Sequence, residues 1–260
     1  MTQFFILGAG RPFSGEKHPA LRAVGHTAHV LDWLLRAVRF LSPDCHFVSG
    51  YQAASVQASY PDFNYIHNHD WENSAAGWSF LSALPSTPKE ILVSYSDILF
   101  HEATVKRLFE ADGDIVVAVD SKWRSRYAGR NLEDLQSCEK VCVVQEAVTL
   151  LGTSIDISQA NAEFVGLVRF SKKAIKQLAG IKKLGSTEKS RLKQASLSYL
   201  IELLRVRGLK VRAIDVHGDW AELNEPADLA RFIFGTKAQT LSRLKKMVKI
   251  SRIENQVSFT

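Results

Sequence analysis

Residues 3–12 read QFFILGAGRP, an apolar segment that runs directly into Gly8, Ala9, Gly10 and Arg11. A strand that ends in small residues can present backbone N–H groups to a phosphate, because glycine allows tight turns and close approach. Arg11 adds a planar set of N–H donors that suits phosphate oxygens. The third glycine of the dinucleotide fingerprint and the Gly-Lys-Ser/Thr of Walker A are both missing. We therefore expect a strand followed by a phosphate-binding turn of another type, with a plain strand-to-helix connection as the alternative.

The composition is that of a globular protein. The 260 residues, 46% of them hydrophobic and 23% charged, suffice for one large domain or one domain with an appendage. The sequence contains no apolar run near the ~20 residues of a membrane helix and no signal-peptide pattern at its start. Cys45, Cys138 and Cys142 lack the spacing of a zinc site or a disulfide framework. These features predict a cytoplasmic protein.

The net charge of +6 is concentrated late in the chain, where Lys and Arg alternate with apolar residues at helical spacing. This pattern is typical of solvated helix faces, and it argues against nucleic acid as a partner. A basic surface that attracts an anionic substrate or a neighbouring module is the alternative.

Apolar runs and helical periodicities alternate along the chain. The predicted strands are residues 4–7, 46–49, 64–66, 91–94, 115–119, 140–144, 148–151, 164–170 and 211–216. The predicted helices are residues 30–41, 53–59, 74–84, 104–111, 171–178, 190–207 and a tail from 228 onward. This rhythm predicts an α/β fold of the Rossmann-like type, with a mixed, mostly parallel sheet and helices on both faces.

Polar side chains follow several of these strands, where ligands bind in open parallel sheets. Asp97 ends the segment 91–97, and a carboxylate there, joined by another across the cleft, would form a sparse Mg²⁺ site. Glu222 and Asn224 flank Leu223 and would point to the same side of an extended backbone. Turn or helix caps are the alternative for all three side chains.

Five segments, in this order, resemble the nucleotidyltransferases that activate sugar phosphates, phosphocholine and phosphonates. Residues 6–11 with 18–21 resemble the signature Leu-Ala-Ala-Gly-x-Gly-x-Arg followed by Pro-Lys-x-Leu. Residues 47–51 resemble the strand that ends in Gly-Tyr, and residues 68–71, 74 and 79–80 the stretch that closes over the nucleotide. Residues 94–97 and 220–229 resemble the two metal-binding elements. The order and rough spacing agree over residues 3–235.

Within that superfamily the chain looks closest to the CTP-dependent phosphocholine and phosphonoalkyl cytidylyltransferases, on residues 120–123, 127, 130, 139–141 and 162–167. The resemblance implies transfer of CMP from CTP to a small phosphate or phosphonate, with Mg²⁺ as cofactor and release of pyrophosphate. It implies a nucleotidyltransferase domain over residues 1–230 and a helical tail or linker over 231–260. Residues 234–241 resemble the link to a further enzymatic module in multidomain relatives, so we expect the natural chain to continue or to have such a partner.

The resemblance also assigns residues to roles. The triphosphate would be contacted by the cations Arg11, Lys17 and Arg22. The nucleotide would be bound by Leu7, Gly8, Ala9, Gly10, Gly50, Tyr51, Asn68, Ser74 and Ser96. The acceptor would be contacted by Trp123, Tyr127, Arg130, Lys140 and Glu163, and Mg²⁺ by Asp97, Glu222 and Asn224. For Trp123 and Tyr127, core packing is the alternative to a cation–π contact with a choline-like group.

Two positions depart from the family pattern. Pro19 stands where the signature Lys is expected, and Asn224 replaces the late Asp, keeping an amide oxygen but no charge. The residues do not distinguish a cytosine pocket from a uracil pocket, so CTP rests on the resemblance. The alternatives are a sugar-1-phosphate nucleotidyltransferase, a nucleotide-sugar glycosyltransferase (which usually carries Asp-x-Asp, where this chain has Tyr95-Ser96-Asp97) and a non-catalytic nucleotide-binding domain.

Overall fold

A nine-stranded sheet organises the chain in a computed structural model that describes residues 2–12, 17–24, 28–127, 132–182 and 186–222. The strands are β1 Gln3–Gly8, β2 Ala23–Val24, β3 Ala28–His29, β4 Asp44–Ser49, β5 Asn64–His67, β6 Ile91–Tyr95, β7 Ile98–Leu99, β8 Ile115–Asp120, β9 Lys140–Val144, β10 Ala147–Gly152, β11 Ala162–Phe170, β12 Val211–Asp215 and β13 Ala221–Glu222. The helices are α1 Val30–Val38, α2 Ala53–Ser59, α3 Ala76–Ala83, α4 Glu102–Glu110, α5 Leu132–Ser137, α6 Lys172–Ile181, α7 Ser186–Lys193 and α8 Leu197–Val206. Short 3₁₀ helices span Pro19–Leu21, Arg39–Leu41, Trp71–Asn73 and Trp123–Tyr127.

The sheet is mixed, in the order β5-β4-β1-β6-β11-β8-β12-β10-β9. Strands β5, β4, β1 and β6 are parallel neighbours, and β12 is parallel to β8. Strand β11 lies antiparallel between β6 and β8, and β10 lies antiparallel between β12 and β9. The start of β11 therefore lies at the edge where β6 and β8 end. This topology brings the polar ends of several distant segments to one edge of the sheet.

Helices cover both faces of the sheet, as the sequence predicts. Along β1 the side chains alternate: Phe5 and Leu7 pack on one face, with α3, α6 and α8. Phe4 and Ile6 pack on the other face, with α1 and α4. All four side chains are buried, because a central strand of a parallel sheet has no solvated side.

One predicted helix is two helices. The periodicity of residues 190–207 continues unbroken, but the chain leaves the helix between α7 and α8. Ser196 caps α8 by accepting a hydrogen bond from the Tyr199 amide at 3.0 Å. The carbonyl oxygens of Lys193 and Ala195 accept hydrogen bonds from the amides of Ala75 and Gly77 at 2.8 and 3.0 Å. The break therefore provides hydrogen-bond acceptors for the first N–H groups of α3, which would otherwise lack partners.

None of the helices in the described ranges combines the length and apolarity that a membrane crossing requires. The predicted helix from residue 228 and the predicted boundary at residue 230 lie outside the described residues.

Candidate active site

A cleft of about 640 Å³ opens at the edge of the sheet where β1 and β6 end and β11 begins. Six of the residues that the sequence predicts for the site line it: Arg11, Arg22, Asp97, Tyr127, Glu163 and Glu222. They come from segments far apart in the sequence, and the mixed sheet brings them together. Arg11 belongs to the N-terminal signature and Arg22 directly follows it, whereas the carboxylates come from later segments.

His18 and Gly8 shape the turn after β1. The buried His18 ring donates from Nε2 to the Gly8 carbonyl at 2.7 Å, and its Nδ1 accepts from the Ala20 amide at 3.1 Å. The contact at Nδ1 requires the neutral ring, because a protonated Nδ1 cannot accept, and burial lowers the pKa of His18. A Cβ on Gly8 would lie 2.3 Å from the Phe47 ring, so this glycine is required for packing. Together these contacts fix the backbone that leads to Arg11.

Arg11 lies exposed at the mouth of the cleft, with its guanidinium 5.7 Å from the centre of the Tyr51 ring. The Tyr51 amide donates to the Ala9 carbonyl at 2.9 Å, which ties the ends of β1 and β4 together. Gly50 allows this approach, because a Cβ there would lie 2.6 Å from the Ala9 oxygen. Gly10 has open space where a Cβ would project, and the predicted contact Leu7 is buried in the core.

Asn68 holds the loop after β5 in place. Its side-chain amide donates to the hydroxyls of Ser74 and Ser79 at 3.0 Å each, and its carbonyl oxygen accepts from the Asp70 amide at 3.0 Å. Asn68 is buried and its polar atoms are used inside the loop. Asn68 and Ser74 therefore stabilise this loop, which lies next to Tyr51 at the carboxyl end of β4.

Asp97 and Glu222 form a carboxylate pair. Strand β6 ends at Tyr95, the buried Ser96 and Asp97 turn the chain, and β7 then pairs with β13 so that Ile98 lies opposite Glu222. Burial and the neighbouring Glu222 carboxylate raise the pKa of Asp97 to about 7, and the Arg22 charge opposes this shift. A cation between the two carboxylates would relieve their repulsion.

The donor set fits Mg²⁺, which prefers oxygen ligands and commonly binds through one or two carboxylates plus water and substrate phosphates. Asp97 and Glu222 would hold the ion. No cluster of three or more His, Cys, Asp or Glu suited to a metal occurs within the described ranges. The third predicted ligand, Asn224, lies outside the described residues.

A second carboxylate centre lies at the start of β11. The Tyr127 hydroxyl donates to Glu163 Oε1, and Arg126 Nη1 lies 3.3 Å from Glu163 Oε2. The Arg126 guanidinium also lies 3.8 Å from Glu222 Oε2 and 3.7 Å from the centre of the Trp220 ring. Burial raises the pKa of Glu163 to about 7, although Arg126 and the Tyr127 hydrogen bond oppose the shift.

Tyr95 and Glu139 complete this end of the cleft. The Tyr95 hydroxyl donates to Glu139 Oε2 at 2.7 Å, and the Ser198 amide donates to Glu139 Oε1 at 3.2 Å. Gly166 on β11 has a positive φ of 82°, and a Cβ there would lie 2.3 Å from the Tyr95 ring. The ring therefore lies directly against the backbone of β11.

The structure places the other predicted residues elsewhere. Trp123 is fully buried against Cys138 and Ala160 and does not line the cleft. Lys140 is also buried, and its ammonium donates to two carbonyl oxygens at 2.6 and 3.1 Å. Lys17 is exposed and does not line the cleft, and Arg130 lies outside the described residues. Trp123 and Lys140 thus support the cleft wall from behind, so neither contacts an acceptor in this geometry.

The sequence analysis missed His18, Arg126, Tyr95, Glu139 and Trp220 as site residues. His18 and Trp220 lie inside recognised motifs, so the signal for them was present. Nothing in the sequence separates Arg126 from its neighbour Arg124, because only the folded chain shows which one faces Glu163.

The chain resembles a curated protein in sequence and several solved structures in fold. No protein-family profile matches the chain. It is 18% identical over 146 residues to the CTP:phosphoglutamine cytidylyltransferase of Campylobacter jejuni, a match that covers 54% of this chain and only 58% of that relative.

Solved structures match over most of the chain. The inositol-1-phosphate CTP transferase from T. maritima has a TM-score of 0.66 at 19% identity, covering 91% of this chain and 97% of that one. The CTP:phosphocholine cytidylyltransferase from Streptococcus pneumoniae has a TM-score of 0.60 at 12% identity, covering 88% and 96%. The chain therefore has the fold of these nucleotidyltransferase structures, and the fold that the sequence resemblance implies is confirmed.

Proposed function

We propose that the chain is a Mg²⁺-dependent nucleotidyltransferase that transfers CMP from CTP to a small phosphate or phosphonate and releases pyrophosphate. The observation that carries the proposal is the cleft itself, where the cations Arg11 and Arg22 lie in one pocket with the carboxylate pair Asp97 and Glu222. Such an arrangement suits a triphosphate bound together with a divalent cation.

The reaction needs positioning and charge neutralisation more than a protein nucleophile. An oxygen of the acceptor phosphate forms a bond to the α-phosphorus of CTP, the bond to the bridging oxygen breaks, and pyrophosphate leaves. Arg11 and Arg22 hold the triphosphate and offset the charge that develops on the leaving group. Mg²⁺, when bound, neutralises phosphate charge between substrate and enzyme.

Arg22 offers a cation to the cleft in which Pro19 replaces the signature Lys. Pro19 lines the cleft in the place of the signature Lys, and Arg22, three residues later, lines it as well. Arg22 influences the pKa of Asp97, so its charge acts at the carboxylate pair. We assign to Arg22 the cationic role that the family gives to the Lys, and we leave the exposed Lys17 a minor role.

We place the acceptor beside Tyr127 and Glu163. The cleft lining includes several carboxylates and tyrosines, whereas its cations are Arg11 and Arg22 among the described residues, so the phosphate of the acceptor points toward these two arginines. The preference for CTP rests on the relatives reported above whose names carry CTP or cytidylyl. The fold alone does not select the base, because transferases named for thymidylyl or UDP share it.

Pyrophosphate release, measured with Mg²⁺ over a matrix of the four common ribonucleoside triphosphates and candidate acceptors, tests the proposal. The acceptors are phosphocholine, phosphoethanolamine, aminoethylphosphonate, inositol 1-phosphate and glucose 1-phosphate. Release that requires CTP and one acceptor supports the proposal. Release with UTP and a sugar phosphate would replace it by a sugar-1-phosphate nucleotidyltransferase, and CTP binding without turnover would favour a non-catalytic domain.

A further inference from the structure

We infer that Arg126 is a positioning residue that couples the metal carboxylate Glu222 to the acceptor-end carboxylate Glu163. Its guanidinium lies 3.3 Å from one carboxylate and 3.8 Å from the other, so a single charge is shared between two functional centres. This inference rests on the proposed function for the identity of those centres.

The setting of Arg126 holds the guanidinium between its partners. The guanidinium stacks on Trp220 at 3.7 Å, and the Trp220 indole donates to the buried Asp120 at 2.9 Å. Asp120 also accepts from the Lys122 amide at 2.9 Å, which ties the start of the Arg126 segment to the end of β8. Only 12% of the Arg126 side chain is exposed, so its charge acts with little screening by water.

Glu163 and Glu222 compete for the guanidinium of Arg126. A divalent cation held by Glu222 would repel the guanidinium and strengthen its pairing with Glu163. Conversely, loss of the Glu163 charge would strengthen the pairing of Arg126 with Glu222, where it would compete with the metal. The charge of Glu163 therefore changes the metal affinity at Glu222, and Arg126 transmits this effect.

Removing each charge should thus shift metal affinity in opposite directions. Arg126→Gln removes a competing cation and should tighten Mn²⁺ binding about threefold or more, within the usual range for coupled neighbours. Glu163→Gln directs Arg126 to Glu222 and should weaken Mn²⁺ binding by a similar factor. In the Arg126→Gln background, Glu163→Gln should change the affinity less than about twofold.

The measurement is Mn²⁺ binding to the purified chain by electron paramagnetic resonance, without nucleotide or acceptor. Arg126→Lys keeps the charge and should stay near the wild-type affinity. Arg124→Gln is the matched control: Arg124 lies on the same 3₁₀ helix, but its guanidinium donates to the carbonyls of Ile157 and Ala160 outside the cleft. It should leave Mn²⁺ affinity unchanged, whatever it does to stability.

Three results would overturn the inference. Additive effects of Arg126→Gln and Glu163→Gln would show that the guanidinium does not link the two carboxylates. Weaker Mn²⁺ binding in Arg126→Gln, with an unchanged thermal unfolding midpoint, would show that its charge does not compete with the metal. Equal Mn²⁺ binding by the wild type and Glu222→Gln would show that Glu222 does not bind the metal. Only this result would also count against the proposed function.

Discussion

Asp97→Asn should make the metal-free chain more stable while it abolishes nucleotidyl transfer. In the folded chain, burial and Glu222 raise the pKa of Asp97 from 3.8 to about 7. Asparagine is nearly the same shape and carries no charge, so it removes the cost of ionising this position. The substitution also removes a proposed Mg²⁺ ligand, and for that reason we expect stability and activity to change in opposite directions.

The magnitude follows from linkage. Raising the pKa of Asp97 from 3.8 to about 7 corresponds to a loss of about 4 kcal/mol in the free energy of unfolding, at about 1.36 kcal/mol per pH unit. The partial exposure of Asp97 reduces this to about 1–3 kcal/mol. The sign is fixed by the raised folded-state pKa: the destabilisation begins as pH rises above the unfolded value and is complete above about 7. The advantage of Asp97→Asn should therefore be largest at pH 8, smaller at pH 5 and absent below about pH 4.

Thermal unfolding in EDTA at pH 5 and pH 8 measures this difference, which should correspond to a few degrees per kcal/mol in a chain of this size. Asp134→Asn is the matched control, because Asp134 lines the same cleft from an exposed position. Adding Mg²⁺ should raise the midpoint of the wild type but not of Asp97→Asn. If Asp97→Asn is no more stable than the wild type at pH 8, the two carboxylates do not repel each other and the site reasoning is wrong.

The remaining predictions concern packing and charge. Gly8→Ala should lower the free energy of unfolding by about 1–3 kcal/mol, because its Cβ would lie 2.3 Å from the Phe47 ring. A Cβ at position 10 would project into open space, so Gly10→Ala should change the free energy of unfolding by no more than about 0.5 kcal/mol. Urea titration measures both variants, and equal losses of stability would contradict the packing account. Arg11→Ala should lower kcat/KM for CTP about 10²- to 10³-fold in the pyrophosphate assay without changing stability, and near-normal turnover would remove it from the triphosphate site. Trp220→Phe should cost about 1–3 kcal/mol in urea unfolding, because a buried carboxylate loses its indole donor; an unchanged midpoint would show that this hydrogen bond does not matter.

Much of the fold follows from the sequence because its strands are short, apolar and separated by helical periods. The four consecutive buried side chains from Phe4 to Leu7 identify a central strand, and the confirmed helices on both faces follow from that. The antiparallel insertion of β11 could not be predicted, because an apolar run carries no information about its direction. The break before α8 was hidden for a similar reason: the apolar period continues, and only the partner helix α3 requires the carbonyls that the break supplies.

The site was predictable where a motif combined residue type with position. Arg11, Asp97 and Glu222 line one cleft, as the resemblance of the signature turn and of the two predicted metal segments implies. Trp123 and Lys140 were placed wrongly, because residue type alone does not tell whether an aromatic or a lysine side chain faces the cleft or the protein interior. The pairing of β7 with β13 could not be predicted either, since each strand is two residues long and too short to show a hydrophobic period.

The most direct test of the account follows the label from CTP. The chain is incubated with Mg²⁺, an acceptor of the matrix above and CTP labelled with ³²P at either the α or the γ position. The account predicts that α-label moves into a new cytidylylated acceptor while γ-label leaves only as pyrophosphate, and that Asp97→Asn does neither. Release of γ-label as orthophosphate, or an acceptor that gains the γ-phosphoryl group, would contradict attack at the α-phosphorus and with it the proposed nucleotidyl transfer.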